Sequence, residues 1–376
     1  MPTEATPDRT AAFDYELPTR QIASRPAARR DASRLLALSR ETGRTRDLRF
    51  TDLPGLMAPG DALVLNDTRV FPARLLGRKP TGARAEILLI RPVADGSAAR
   101  REGAGADASD GGDPLAAFRD AAPRVWVAIV RPGGKLKPGR TVEVDGGLAV
   151  EILDSAPDGS RIVRLVGGDD PWTLIERHGH VPLPPYIERP DDDDDRRRYQ
   201  TVYARETGSV AAPTAGLHFT RELLADIRDR GVEPVHVTLH VGVGTFRPVS
   251  AERIDEHRLH AEAYRLSAAA AAALNAVRAA GGRLWAVGTT TCRVLETVAD
   301  DEGRFAESAG WTDLFIRPPY RFRGVDALVT NFHLPRSSLL MLVAAFGGTA
   351  HVLAAYEHAV AEGYRFYSYG DAMVVS

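Results

Sequence analysis

The stretch TRELLADIRDRGVEPVHVTLHVGVGTF, residues 220–246, decides the fold class. Leu223, Leu224 and Ile227 share one face at helical spacing, Thr220 can cap the first turn and Gly231 can end the last, which predicts a helix over 221–230. From 234 to 241, Val235, Val237, Leu239 and Val241 alternate with His236, Thr238 and His240, the period of a strand with one polar face. A helix that hands over to a strand across a glycine is the repeating unit of an α/β layer structure. The same unit recurs downstream: an Ala-rich helix over 267–280, ended by Gly281 and Gly282, precedes a buried strand over 283–287. A strand over 327–330 then precedes a helix over 337–346.

Upstream of residue 170 the texture differs. Six short Val-, Ile- and Leu-rich runs, 71–76, 85–91, 125–131, 141–144, 148–153 and 162–166, are punctuated by Gly and Pro with no helical spacing between them, the pattern of a small antiparallel barrel. The expected architecture is therefore α/β: a larger mixed α/β domain with a small antiparallel β-barrel domain inserted. Its divisions are 1–68 and 169–376 for the α/β part and 69–168 for the barrel. Residues 94–123, rich in Gly, Ala and Asp, and 191–198, five acids followed by three arginines, read as solvated loops, and residues 1–12 as a loose leader.

With 376 residues the chain is long enough for two or three domains at about 100–200 residues each. Basic and acidic residues nearly balance, 48 against 50, which excludes a globally cationic nucleic-acid coat, so a nucleic-acid partner needs a local patch. Cys292 is the only cysteine; an intramolecular disulfide and a thiolate metal site are excluded, and a reducing compartment is expected. The amino terminus lacks a signal-peptide core, and the longest apolar run, 339–346, is too short to span a bilayer; a cytoplasmic monomer is expected.

Four strand-to-loop junctions concentrate residues that a ligand site needs. Asn66, Asp67, Thr68 and Arg69 end one strand, where a capped turn is the plain structural alternative. His240, Gly242, Gly244, Thr245 and Phe246 end another; without a third glycine this is no dinucleotide fingerprint, and a bend in the strand is the alternative. Gly288, Thr289 and Thr290 open a helix through Arg293, whose N-terminal N–H groups suit a carboxylate or phosphate unless threonine caps them. Asn331, Phe332 and His333 follow the strand over 327–330, where a core histidine with one satisfied hydrogen bond is the alternative. The Asp255-Glu256-His257 and His260 cluster does not match a zinc-binding spacing, and no metal is expected. His178 and His180 read as ordinary loop residues.

Taken together, Val202-Tyr203-Ala204, Gly208 through Thr220, Val237 through Gly242 with Gly244-Thr245-Phe246, Val287 through Thr290, Val329 through Pro335, and Tyr367-Ser368-Tyr369-Gly370-Asp371-Ala372-Met373 resemble the S-adenosylmethionine:tRNA ribosyltransferase-isomerase family of queuosine biosynthesis. Phe13 through Pro18, Leu65 through Val70, Pro72 through Leu75 and Pro182 through Ile187 extend the resemblance to about residues 13–374, with 94–123 as a private insertion. The chain departs from the family at Phe315-Ile316-Arg317-Pro318-Pro319 and at Thr291-Cys292.

The resemblance implies the same α/β fold with an inserted barrel. It implies transfer of the ribosyl part of S-adenosylmethionine, a co-substrate rather than a cofactor, to 7-aminomethyl-7-deazaguanine at the tRNA wobble position. The ribosyl group is isomerised to an epoxycyclopentanediol, giving epoxyqueuosine, with release of adenine and methionine. The implied tRNA partners carry GUN anticodons (Tyr, His, Asn, Asp). A sulfonium acidifies its neighbouring C–H bonds, so a histidine is the natural base, and His218, His240 and His333 all lie in matching motifs. Asp67 or Asp371, if held protonated by burial, or one of the histidines, would serve the leaving adenine. The methionine carboxylate would sit at Thr289 and Thr290, with Arg69 or Arg293 as charged partner. Pro213, Thr214 and Gly216 join the substrate-binding set, and Phe219, Phe246 and Phe332 are placed to stack on an extruded base, with core packing the alternative for at least one of them. Arg25, Arg29, Arg30 and Arg34, or Arg317, Arg321 and Arg323, would hold phosphates. The rival readings are a non-catalytic RNA-binding protein that uses the barrel, and an ordinary methyltransferase.

Overall fold

The computed structural model describes residues 7–93, 113–119, 122–242, 249 and 251–376. Its larger sheet has nine strands. Four parallel strands form the centre, in the spatial order Glu233–Leu239, Ala62–Asn66, Leu284–Val287 and Ala327–Asn331. Glu262–Leu266 and Ser308–Thr312 extend one side antiparallel, while Ala372–Val375, Arg34–Leu38 and Thr45–Arg49 extend the other. The central strands read as near-continuous apolar runs because helices cover both faces. Leu63, Leu65, Trp285 and Val329 point to the side packed by Leu223 and Ile227 of helix Arg221–Asp229. Val64, Val237, Ala286 and Leu328 point to the opposite side, against helices Ala268–Ala279, Thr289–Val298, Ser338–Gly347 and Thr349–Ala361.

The expected capping chemistry is present: Thr220, Ser267 and Ser337 accept from the N–H groups of Leu223, Ala270 and Leu340. The second sheet is a closed antiparallel barrel of Arg74–Arg78, Arg84–Pro92, Val125–Arg131, Arg161–Val166, Leu148–Ser155 and Thr141–Val144. Closure runs through Gly77 paired with Val144, where a Cβ on Gly77 would lie 2.4 Å from the Glu143 carbonyl oxygen. Only glycine lets those backbones meet.

Three expectations are corrected. The acidic and basic run is not a solvated loop: Asp193–Arg198 is a helical turn with a reciprocal cap from Asp192 and Asp195. Asp195 is buried, pairs with Arg189 and accepts from the Tyr369 hydroxyl, while Arg196 and Arg198 donate to the carbonyls of Gly179 and Ala27. Of the insertion, the described part of 113–123 is not wholly solvated either. Leu115 and Phe118 are buried around a 3-10 turn, Ala116–Arg119. The leader is tied down from residue 9, where Arg9 bridges to Arg253 and the buried Thr10 donates to the Ala251 carbonyl. Helices Pro171–His178 and Thr349–Ala361 went unread in the sequence, as did the strands flanking the parallel core.

Candidate active site

The four junctions singled out in the sequence follow the four central parallel strands, so all of them emerge at one edge of the sheet. In parallel α/β sheets ligands bind outside the carboxyl ends of the strands. A cavity opens there, lined by Pro213, Thr214, Val241, Gly288, Thr289, Thr290, Asn331, Phe332, His333 and Tyr367 among others.

The helix Thr289–Val298 points its N-terminus at this cavity. Gly288 precedes it at φ +89, a conformation glycine adopts freely, and no side chain caps the first turn. The threonines therefore leave the terminal N–H groups open, because Thr291 Oγ1 donates back to the Val287 carbonyl instead. Asn66 aligns the edge from behind: its Oδ1 accepts from the N–H groups of Thr68 and Leu239, and its Nδ2 donates to the Leu239 carbonyl and to Thr290 Oγ1.

The three histidines are buried, and burial holds each imidazole down at about 3, far below its ordinary value, so all three are neutral near pH 7. Their wiring separates them. His218 Nε2 receives a hydrogen bond from Asn331 Nδ2 at 3.1 Å, and its Nδ1 lies 2.7 Å from Ser33 Oγ. An amide NH2 only donates, so Nδ1 is the protonated nitrogen and both ring positions are spent on protein. His218 also stacks on Phe50 and faces a different recess, beside Arg30 and Tyr369; His240 borders another, with Phe118, Gly208 and Trp311, and of the three His333 lines the cavity itself.

His240 has one nitrogen engaged: Nδ1 lies 2.8 Å from Thr68 Oγ1, which itself donates to Ser209 Oγ at 2.8 Å. Nδ1–H is then the donor, and Nε2 carries a lone pair with no hydrogen-bond partner among the described residues. His333 Nε2 lies 2.7 Å from Thr330 Oγ1, a contact that either tautomer satisfies, and its Nδ1 has no hydrogen-bond partner among the described residues. Tyr15 and Tyr356 clamp its backbone, donating to the carbonyl and accepting from the N–H.

Other expected site residues lie elsewhere. Asp67 is engaged by the protein: its side chain accepts from Thr238 Oγ1 at 2.7 Å and pairs with Arg205 at 2.9 Å. Asp371 accepts the backbone N–H groups of Arg34 and Arg365 and so ties strand ends together. Arg293 is not free to meet a ligand carboxylate. It is buried against Glu262 and donates to the carbonyls of Thr312 and Leu314. Glu262 in turn accepts the Gly242 N–H at 2.8 Å. Gly216 serves close packing, since a Cβ there would strike the Tyr203 hydroxyl.

Phe219 and Phe332 are wholly buried in aromatic clusters, although Phe332 also borders the cavity. Gly244, Thr245 and Phe246 lie outside the described residues. Arg69 is exposed and has no ion-pair partner among the described residues. The Arg25 to Arg34 cluster is spent internally, on Asp192, Asp31, the Leu217 carbonyl and Asp47. Arg323 pairs with Asp301.

Tyr367 is the residue the sequence reading passed over. It lines the cavity at φ +73, stacks on Tyr186 at 4.3 Å, and its carbonyl accepts from Asn331. Such a backbone in a non-glycine residue is held only where its surroundings over-determine it. Its signal was the Tyr-Ser-Tyr-Gly-Asp run. Beyond Gly242 a larger groove runs between the barrel's outer face at Arg74, Leu76 and Arg131 and the connector at Pro182 to Asp191.

The family model described as "Queuosine biosynthesis protein" matches residues 10–375. The chain belongs to that family. It is 50% identical to the S-adenosylmethionine:tRNA ribosyltransferase-isomerase of Moorella thermoacetica, over 98% of this chain and 99% of the relative. It is 48% identical to the same-named protein of Symbiobacterium thermophilum, over 98% and 99%. The crystal structure of an S-adenosylmethionine tRNA ribosyltransferase from Thermotoga maritima is similar at a TM-score of 0.52 and 38% identity, covering 97% of this chain and all of that one. Among the described residues no group of three or more His, Cys, Asp or Glu side chains could hold a metal ion, and no single helix is long and apolar enough to cross a membrane.

Proposed function

We propose that the chain transfers and isomerises the ribosyl group of S-adenosylmethionine onto 7-aminomethyl-7-deazaguanine at the wobble position of tRNA, releasing adenine and methionine and leaving epoxyqueuosine. The observation that carries this reading is the convergence of four strand ends, an uncapped helix N-terminus and two half-wired histidines at one sheet edge of a chain in the queuosine family. The methionine carboxylate is placed at the N–H groups of Thr289 and Thr290, where the helix end supplies partial positive charge.

The base is His240 or His333, not His218, whose two nitrogens are occupied. A neutral imidazole takes the proton from the carbon beside the sulfonium. Burial makes the resulting imidazolium costly, which favours passing the proton on to the departing adenine.

The anticodon loop of a GUN-anticodon tRNA is assigned to the groove beyond Gly242, with Arg69, Arg74 and Arg131 near its phosphates, and the working form is a cytoplasmic monomer. Arg74 is shared with Glu86, so its contribution is partial. Nothing in the site favours a non-catalytic RNA-binding role for the barrel. The test is adenine release from S-adenosylmethionine by purified protein with tRNA carrying the deazaguanine precursor. Adenine, methionine and a tRNA mass gain of the isomerised ribosyl group are expected. S-Adenosylhomocysteine and a methylated tRNA would instead establish a methyltransferase and end the proposal.

A further inference from the structure

The insertion within the barrel returns to the sheet edge at residues 113–119, and its contacts there converge on one histidine. The Phe118 ring, 8% exposed, meets the His240 imidazole edge to face at 4.7 Å and also touches Trp126 inside the barrel. On another side of the imidazole, Gly208 leaves room that any side chain would take: a Cβ there would lie 2.3 Å from Nε2. Thr68 holds Nδ1. The turn that carries Phe118 is itself anchored. Arg119 pairs with Asp113 at 2.8 Å and with Glu206 at 3.3 Å, and Glu206, which also pairs with Arg265, begins the short strand that contains Gly208 and Ser209. Insertion, barrel and α/β sheet thus meet around a single ring.

We infer that Phe118 is a positioning residue for His240: it closes one side of the imidazole, so that Thr68 keeps Nδ1 and Nε2 keeps its place beside Gly208, at the border of a recess also lined by Val241, Gly242 and Trp311. An edge-to-face ring pair is directional, so it selects an orientation as well as excluding water. Arg119 and Arg265 add positive charge near the ring and Asp113 offsets part of it. Glu206, Arg91, His260 and Glu262 complete the titratable and charged set on the packed elements. The inference deepens the proposed function, because it gives His240 a support that this chain's own insertion provides.

The test uses the full chain with isotopically labelled histidine, its imidazole signals followed by NMR from about pH 4.5 to about pH 8, alongside adenine-release kinetics. In the unmodified protein the His240 signal stays flat. In Phe118→Ala it titrates toward the ordinary imidazole value of about 6.5. In that variant kcat falls about tenfold or more while KM for S-adenosylmethionine moves less than about twofold, because a ring loosened by about an ångström loses alignment rather than binding. Phe118→Leu, which keeps the apolar cover, restores the flat titration. The His333 signal remains flat throughout and reports that the variants are folded. A His240 signal that stays flat in Phe118→Ala with kcat unchanged overturns the inference. A His240 that titrates while kcat is untouched supports the placement of the ring and instead overturns the role of His240 in the reaction.

Discussion

Acidification should unfold this protein earlier than its carboxylates alone would dictate, and the three buried histidines set the size of the effect. Each is held neutral at about 3 by burial, whereas in the unfolded chain each binds a proton near its ordinary value. Their folded-state values are depressed, so their proton uptake favours the unfolded state. Stability is intact above about pH 6.5 and falls as the pH drops toward about 3, since the unfolded chain binds more protons throughout that window. Moving from about pH 7 to about pH 5.5 costs roughly 1.2 kcal/mol per imidazole, or about 4 kcal/mol for the three. His236 and His257, also lowered by burial, act in the same direction, and Glu296, raised by burial, acts against it.

The assay is urea unfolding at closely spaced pH values, read by tryptophan fluorescence, with the proton uptake taken from the slope. His218→Gln should reduce that slope by about one proton, because His218 is one of three equivalent contributors. A free energy of unfolding that changes by less than about 1 kcal/mol over the interval would refute the account, since it would mean the imidazoles are solvated or paired in the folded state.

Other perturbations separate the roles assigned above. His240→Ala and His333→Ala should each lower turnover, and the one that serves as base by about a hundredfold or more; wild-type kcat in both would remove the base assignment. Arg293→Ala leaves Glu262 buried without its counter-charge and should cost about 3–5 kcal/mol of stability, measured by denaturant midpoint, while Glu262→Gln should cost less. Gly288→Ala forces a side chain into left-handed backbone at the mouth of the cavity. It should cost about 1–2 kcal/mol and raise KM for S-adenosylmethionine, and an unchanged KM would argue against methionine at that helix end. Binding of tRNA should weaken linearly in log-log terms with salt, and Arg131→Ala should reduce that slope by about one if its guanidinium reaches a phosphate.

Local pattern carried a great deal here. Period-two and period-3.6 spacing located the helix Arg221–Asp229, the strand Glu233–Leu239 and all six barrel strands, because those residues bury the face their own spacing defines. The run 191–198 was unreadable for the opposite reason: its charges look solvated until Arg189 and Tyr369, from other segments, converge on Asp195. The junction residues were visible too, as small and polar residues after apolar runs, and their shared membership of one family was legible in their order.

Which histidine is spent and which is available was a different matter. His218, His240 and His333 look alike in sequence, yet Asn331 and Ser33 occupy both nitrogens of the first, while single threonines hold the other two. The sequence alone determined the layered α/β class, the inserted barrel and the four chain segments that end in ligand-suited residues, since each depends on near neighbours. Tertiary structure alone decided that those segments share one edge, that Phe219 and Phe332 belong to the core, and that the insertion's Phe118 reaches His240. Those facts depend on parallel pairing between strands far apart in the chain, and nothing local encodes which distant side chain will come to lie against a given ring.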